Sequence, residues 1–136
     1  MHYFKDKADT VHCLDDAAFA YLLPEGCTEI TEAEADALRA PPPPTVAEII
    51  ATYTAAIQKR LDDFARTRNY DGILSAATYA TSQVPKFKAE GQYAVEARDA
   101  TWAKCYEVLA AAEAGSRPMP TLDELLAELP TLTWPN

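Results

Sequence analysis

The sequence predicts a mainly α-helical chain: a small N-terminal α+β module (a β-hairpin plus short helices), a proline spacer, and a C-terminal antiparallel helical bundle. Three observations predict it. Pro41 to Pro44 are consecutive. A residue with no backbone N–H and a φ held near −65° favours, when repeated, a stiff polyproline II spacer that neither helix nor sheet crosses. Thr31, Thr45 and Thr121 each stand three residues ahead of a glutamate, the spacing of a capping box at a helix start. After Thr45, apolar residues recur at steps of three and four, the period of one helical face. The boundaries are 1–40 for the module, 41–44 for the spacer and 45–136 for the bundle.

Within the module, Tyr3 to Lys5 and Val11 to Leu14 read as short strands, and the polar stretch Asp6, Lys7, Ala8 and Asp9 suits the reversal between them. A lone hairpin is marginal in water, so it needs an apolar cover, for which Phe19, Tyr21, Leu22 and Leu23 are the nearest candidates. Asp15 or Asp16 caps a short helix through Tyr21, closed by Pro24 and Gly26. Cys27 to Ile30 is a candidate third strand. The Thr31/Glu34 capping box then opens a helix to about Arg39.

The bundle begins at the Thr45/Glu48 capping box. Val46, Ile49, Ile50, Tyr53, Ile57, Leu61, Phe64 and Ala65 share one face, Gln58, Lys59, Arg60, Asp62, Asp63 and Arg66 the other, and the helix ends around Arg68 or Asn69. Asp71 is placed to cap the next helix, where Ile73, Leu74 and Ala77 share a face before Ser82 and Pro85 break it. A second long helix runs from Phe87 to Ala112, with an apolar stripe of Val95, Trp102, Cys105, Tyr106 and Leu109. Arg98 falls inside that stripe. It either snorkels along Trp102 or joins a structural polar knot in which Arg98 or Asp99 meets Arg68 or Asp71. After an exit loop from Gly115 to Pro120, the Thr121/Glu124 box opens a short closing helix carrying Leu122, Leu125, Leu126 and Leu129, and Pro130 stops it. Leu132 and Trp134 follow in an extended tail, where the indole either packs onto the bundle or is offered to a partner.

Charge and chemistry narrow the function classes. The 136 residues carry 21 acids against 12 Lys and Arg, a formal net charge of −9. Nine acids and three bases precede Thr45, so acidity is concentrated in the module. That excludes nucleic acid as the expected partner, because phosphate binding needs a cationic surplus on one face. No apolar run approaches the roughly 20 residues of a membrane-spanning helix, and Met1 leads straight into His2, Tyr3, Phe4 and Lys5 without a secretory signal pattern. The chain is therefore expected to stay inside the cell that makes it, and the widely spaced Cys13, Cys27 and Cys105 fit reduced thiols.

His2, His12, Cys13 and Cys27 lack the paired short spacings of a zinc site, and neighbours on a strand point to opposite faces, so no metal is expected. A Cys/His nucleophile pair finds no third orienting residue. The pairs Asp15/Asp16 and Asp62/Asp63 read as helix caps and solvated faces, and the four glycines are isolated, so no phosphate loop exists. No catalytic residue, cofactor or enzymatic activity is expected. Binding is what remains, with Tyr3, Phe4, Tyr21 and Leu22 of the module and Trp134 of the tail as candidate contact residues.

The run Leu22, Leu23, Pro24, Glu25, Gly26, Cys27, Thr28, Glu29, Ile30, Thr31, Glu32, Ala33, Glu34, Ala35 resembles the opening module of the tail fibre assembly proteins (tail fibre chaperones) of tailed bacteriophages. The preceding hairpin and the proline joint follow the same order, so the resemblance covers about the first third of the chain. From Arg68 through Trp102, Cys105 and Tyr106 to Leu129, Pro130 and Trp134, the chain resembles helical regions of small phage tail-region proteins rather than the lysine- and glutamate-rich tail common in the chaperones. The resemblance implies a non-enzymatic virion accessory or chaperone that binds the receptor-binding tail fibre. It implies residence in the host bacterial cytoplasm during phage assembly, with retention in the virion tail as the alternative. A competing expectation, from the acidity of Glu29, Glu32, Glu34 and Asp36, is a small phage regulator or inhibitor that binds a host protein.

Overall fold

In the computed structural model, which describes residues 1–136, His2–Lys5 (β1) and Val11–Leu14 (β2) pair antiparallel, and Thr28–Ile30 (β3) adds to the other side of β1. The strand order is β2-β1-β3. The hairpin turn is built by one side chain: Asp6 Oδ1 accepts from the backbone N–H groups of Ala8 (2.8 Å) and Thr10 (3.0 Å), while Asp9 takes a φ of 59°. Short polar side chains tolerate that left-handed conformation and bond locally, which is why this stretch turns. The register aligns Tyr3 with Cys13 and Ile30 on one face, and Phe4 with His12 and Glu29 on the other. Helix α1, Glu32–Arg39, opens on the complete Thr31/Glu34 capping box and lies against β1 and β2, burying Ala35.

The expected cover of the hairpin does not form. Ala17–Leu22 is a 3-10 helix capped by Asp16, and none of its residues is buried. With three residues per turn, Phe19 and Leu22 eclipse on one edge instead of spreading into a face that could close over a sheet. Met1–Pro44 forms one compact unit and Thr45–Asn136 another. Pro41 to Pro44 adopt no helix or strand.

The second unit is helical: α2 (Val46–Arg66), α3 (Ile73–Ala77) running into a 3-10 turn (Thr78–Thr81), α4 (Pro85–Glu113) and α5 (Leu122–Glu128). Both the Thr45/Glu48 and Thr121/Glu124 capping boxes are complete. Helix α2 ends at Arg66, earlier than expected, and Asn69 at φ 66° makes the reversal. Asp71 is not the cap of α3. That role falls to Asp62 of α2, whose Oδ1 accepts from the Ile73 N–H (2.9 Å) and from Gln58 Nε2 (3.2 Å). Gly72 permits the approach, since a Cβ there would lie 2.7 Å from the same oxygen.

Two clusters form the core. Leu61, Ala65, Ile73, Ala76 and Ala94 make one, with Trp102, Leu132 and Trp134 packed against it. Ile57, Val108, Leu125 and Leu129 make the other, with Tyr53 and Cys105 alongside. Two expected faces are corrected. In α3 the buried residues are Ile73 and Ala76, and Leu74 is 66% exposed. In α4 the buried side is Glu90, Gly91, Ala94, Ala97, Thr101 and Val108, whereas Val95 and Tyr106 are exposed. Small residues on that side let α3 and its 3-10 extension approach closely: a Cβ on Gly91 would sit 2.3 Å from the Ala80 nitrogen. No helix of the chain is long and apolar enough to cross a membrane.

Candidate protein-binding surfaces

The strand residues of the module are held in place rather than offered. The Tyr3 hydroxyl donates to Glu32 Oε1 (3.3 Å), and its ring lies under the Arg39 guanidinium, 5.3 Å away. Partial burial and the Glu32 carboxylate raise the pKa of that phenol. Phe4 is half-buried on the opposite side of the sheet, so Tyr3 and Phe4 do not form one patch. Tyr21 and Leu22 are 77% and 66% exposed, and Phe19, at 47%, joins them with its ring 6.5 Å from that of Tyr21. All three are exposed apolar side chains of the 3-10 helix.

The polar side chains of the module hold its own structure together. His12 pairs with Asp6 (3.1 Å) and His2 with Glu29 (3.1 Å). The Thr10 N–H, then the His12 ring and the Ala8 N–H, hold the Asp6 carboxyl below its ordinary pKa. Cys13 turns to the other face, where its Sγ accepts from Arg39, so His12 and Cys13 are separated by the sheet. No three His, Cys, Asp or Glu side chains converge as metal ligands do, and all three cysteines are free.

In the helical unit Trp134 packs. It stacks on Phe64 with ring centroids 4.3 Å apart, its Nε1 donates to Thr67 Oγ1 (2.9 Å), and the Arg68 guanidinium sits 5.7 Å over its ring. The Thr133 N–H donates to the Tyr93 hydroxyl (2.8 Å), and Arg60 Nη2 to the Pro130 carbonyl (2.8 Å), so the tail is fastened along its length. A polar knot exists at the helix junction, and of its expected members only Arg68 belongs to it. Arg68 Nη1 donates to Glu90 Oε1 (3.0 Å) and the Tyr70 hydroxyl to Glu90 Oε2 (2.9 Å). Asp71 contributes only its backbone carbonyl, to Arg66 Nε (3.1 Å). Asp99 is exposed, and neither it nor the half-buried Arg98 joins the knot. Glu90, 3% exposed, supplies the buried charge instead. Burial, followed by the bond to Glu90, pushes the Tyr70 phenol up to about 12. The stripe of small residues from Gly91 to Ala97 is the signal in the sequence that this side of α4 faces inward.

The sequence does not foretell an apolar groove of about 480 Å³ between the first half of α2, the second half of α4 and the loop before α5. Ile50, Tyr53, Trp102, Tyr106, Met119 and Leu125 line it. The Tyr53 hydroxyl closes one end by donating to the Pro120 carbonyl (2.8 Å), and burial raises the pKa of the neighbouring Cys105 thiol. No family model matches the chain, and neither a curated protein nor a solved structure is significantly similar to it.

Proposed function

We propose that the protein is a non-enzymatic binding protein of a tailed bacteriophage that grips the receptor-binding tail fibre, as an assembly chaperone or as a fibre-bound accessory. The observation that carries this reading is the position of the exposed Phe19, Tyr21 and Leu22 side chains. They run directly into the Leu22 to Ala35 segment, whose sequence resembles the phage fibre chaperones. Large exposed aromatic and aliphatic side chains on a module with little core of its own suit a surface completed by a partner.

The host-protein inhibitor reading draws less support. Its motivating acids are largely engaged inside the module: Glu34 in the capping box, Glu29 with His2 and Glu32 with Tyr3.

Co-expression with a receptor-binding tail fibre protein of a tailed bacteriophage tests the proposal. The expected result is a complex that survives purification and is lost in Tyr21→Ser/Leu22→Ser, whose exposed positions leave folding intact. Recovery of the fibre protein alone, or equal recovery with the double variant, overturns the reading.

A further inference from the structure

We infer that the apolar groove of the helical unit binds a single-chain carboxylate amphiphile, a medium-length fatty acid, with its carboxylate at the inner end beside Arg60 and Thr101 and its alkyl chain laid along α2. This inference stands on the helical unit alone and is independent of the fibre reading. Two buried side-chain polar atoms lack a hydrogen-bond partner, Arg60 Nη1 and Thr101 Oγ1. Both belong to the same end of the groove. On α2 the lining runs from Ile50 to Ile57, and on α4 from Trp102 to Leu109. Arg60 stands about one helical turn past Ile57, while Thr101 directly precedes Trp102 and lies one turn from Cys105. Packing sets the two helices level at this point. Phe64 of α2 meets Tyr93 of α4, with ring centroids 5.9 Å apart, and Ile57 clusters with Val108. Arg60 falls midway between Ile57 and Phe64, and Thr101 midway between Tyr93 and Val108, so the two orphaned groups are opposite one another.

Charge selects the head group. Arg60 is half-buried and takes part in no salt bridge; its Nη2 donates to the Pro130 carbonyl (2.8 Å), which leaves Nη1 free. Its charge acts on the Cys105 thiol in the groove wall, opposing the larger effect of burial there. A guanidinium without a counter-ion, beside a hydroxyl without a partner, matches a carboxylate: one oxygen accepts from Nη1 and the other from Thr101 Oγ1. A turn of the long Arg60 side chain about its anchor on Pro130 brings Nη1 to the head group. Shape selects the rest. No charged residue lines the groove, and the Tyr53 hydroxyl is already committed to the Pro120 carbonyl, so what lies beyond the head is apolar. From Ile50 to Ile57 the wall spans about 10 Å of helix, a narrow path for one alkyl chain.

The probes are decanoate, octanoate, 1-decanol and decyltrimethylammonium, titrated calorimetrically into the full-length protein below their micelle concentrations. Decanoate is expected to bind saturably, one per chain, and about tenfold tighter than decanol, which lacks the charge. It is also expected to bind about tenfold tighter than octanoate, which is two methylenes shorter, and the ammonium compound is expected to bind weakest. Arg60→Met keeps most of the apolar length of the side chain and is expected to bring decanoate down to the affinity of decanol while leaving decanol unmoved. Thr101→Val, of the same shape, is expected to weaken decanoate about threefold and to spare decanol. Equal affinity of the unaltered chain for decanoate and decanol, an undiminished preference for decanoate in both variants, or no saturable binding overturns the inference. So does uptake of a leucine-rich helical peptide in place of decanoate, which assigns the groove to a partner protein. A dimer in sedimentation equilibrium that Ile50→Ser disperses overturns it as well, by assigning the groove to a second copy. The probes are compared on the unaltered chain, so the question is decided even if a variant misfolds.

Discussion

In the N-terminal unit a single residue, Ala35, is withdrawn from solvent, whereas the helical unit buries two clusters that draw on α2, α3, α4 and α5. The first unit is shaped by short-range polar contacts: the Asp6 turn, the Thr31/Glu34 box, and the His2 and His12 pairs. The second is held by contacts between residues far apart in sequence. Solvated hydrogen bonds and exposed ion pairs each contribute little, while buried apolar area contributes about 25 cal/mol per Å². The difference teaches that the N-terminal unit opens locally at low cost and the helical unit does not. A surface that must adapt to a partner belongs on the former, and one that must be preformed belongs on the latter.

The largest perturbation should come from Leu61→Ala, which empties a fully buried site and costs about 2–5 kcal/mol. Both tryptophans lie in the helical unit, so denaturant unfolding followed by their fluorescence reads that unit alone. A lowered midpoint with unchanged amide exchange in β1 and β2 supports the comparison, and loss of protection in both units breaks it.

Glu90→Ala follows, at about 2 kcal/mol, because Arg68 and Tyr70 lose their shared acceptor. Arg98→Ala, outside the knot, should stay within about 0.5 kcal/mol by the same measurement.

Tyr70 sharpens the point through pH. Its folded pKa is raised from 10.0 to about 12, so the fold favours the neutral phenol. That contribution is complete below about pH 10 and is lost as pH rises towards about 12. Helical circular dichroism should show an alkaline limb in this window that Tyr70→Phe flattens.

Among the changes that remove an interaction, the smallest in energy is Thr31→Ala, about 1 kcal/mol for a lost cap. In a unit with so little core it should erase amide protection in α1 while leaving the tryptophan midpoint unmoved.

Legibility in the sequence follows the range of the interaction. All three capping boxes form where the threonine and glutamate spacing places them, because each is decided within four residues. Strand β2 and the Asp6 turn are legible for the same reason. The buried side of α4 is not. Its large apolar residues suggest one core stripe, yet the face that packs is made of Gly91, Ala94, Ala97 and Thr101 around Glu90, a run of small residues that a reading weighted toward large apolar side chains passes over. Asp62 reads as a solvated charge because its amide partner, Ile73, is brought to it only by the chain reversal at Asn69. Of the candidate contact residues, Tyr21 and Leu22 are uncovered, while Trp134 is fastened into the unit. The groove is hidden in the sequence because Val46 and Ile50 continue the stripe of α2 beyond the reach of the helices that cover the rest of it.

The fastening of the tail also sets an order for biosynthesis. Leu129 completes one cluster of the helical unit, and Leu132 and Trp134 pack against the other, so neither is whole until the segment from Leu129 to Trp134 has left the ribosome. The strands and α1 meet no such delay. Roughly 90 residues separate Pro44 from Trp134, so at cellular synthesis rates the acidic module stands assembled for about 5 to 20 seconds before its companion closes. Its Phe19 and Tyr21 rings, which stay exposed in the finished chain, are already on display during that interval.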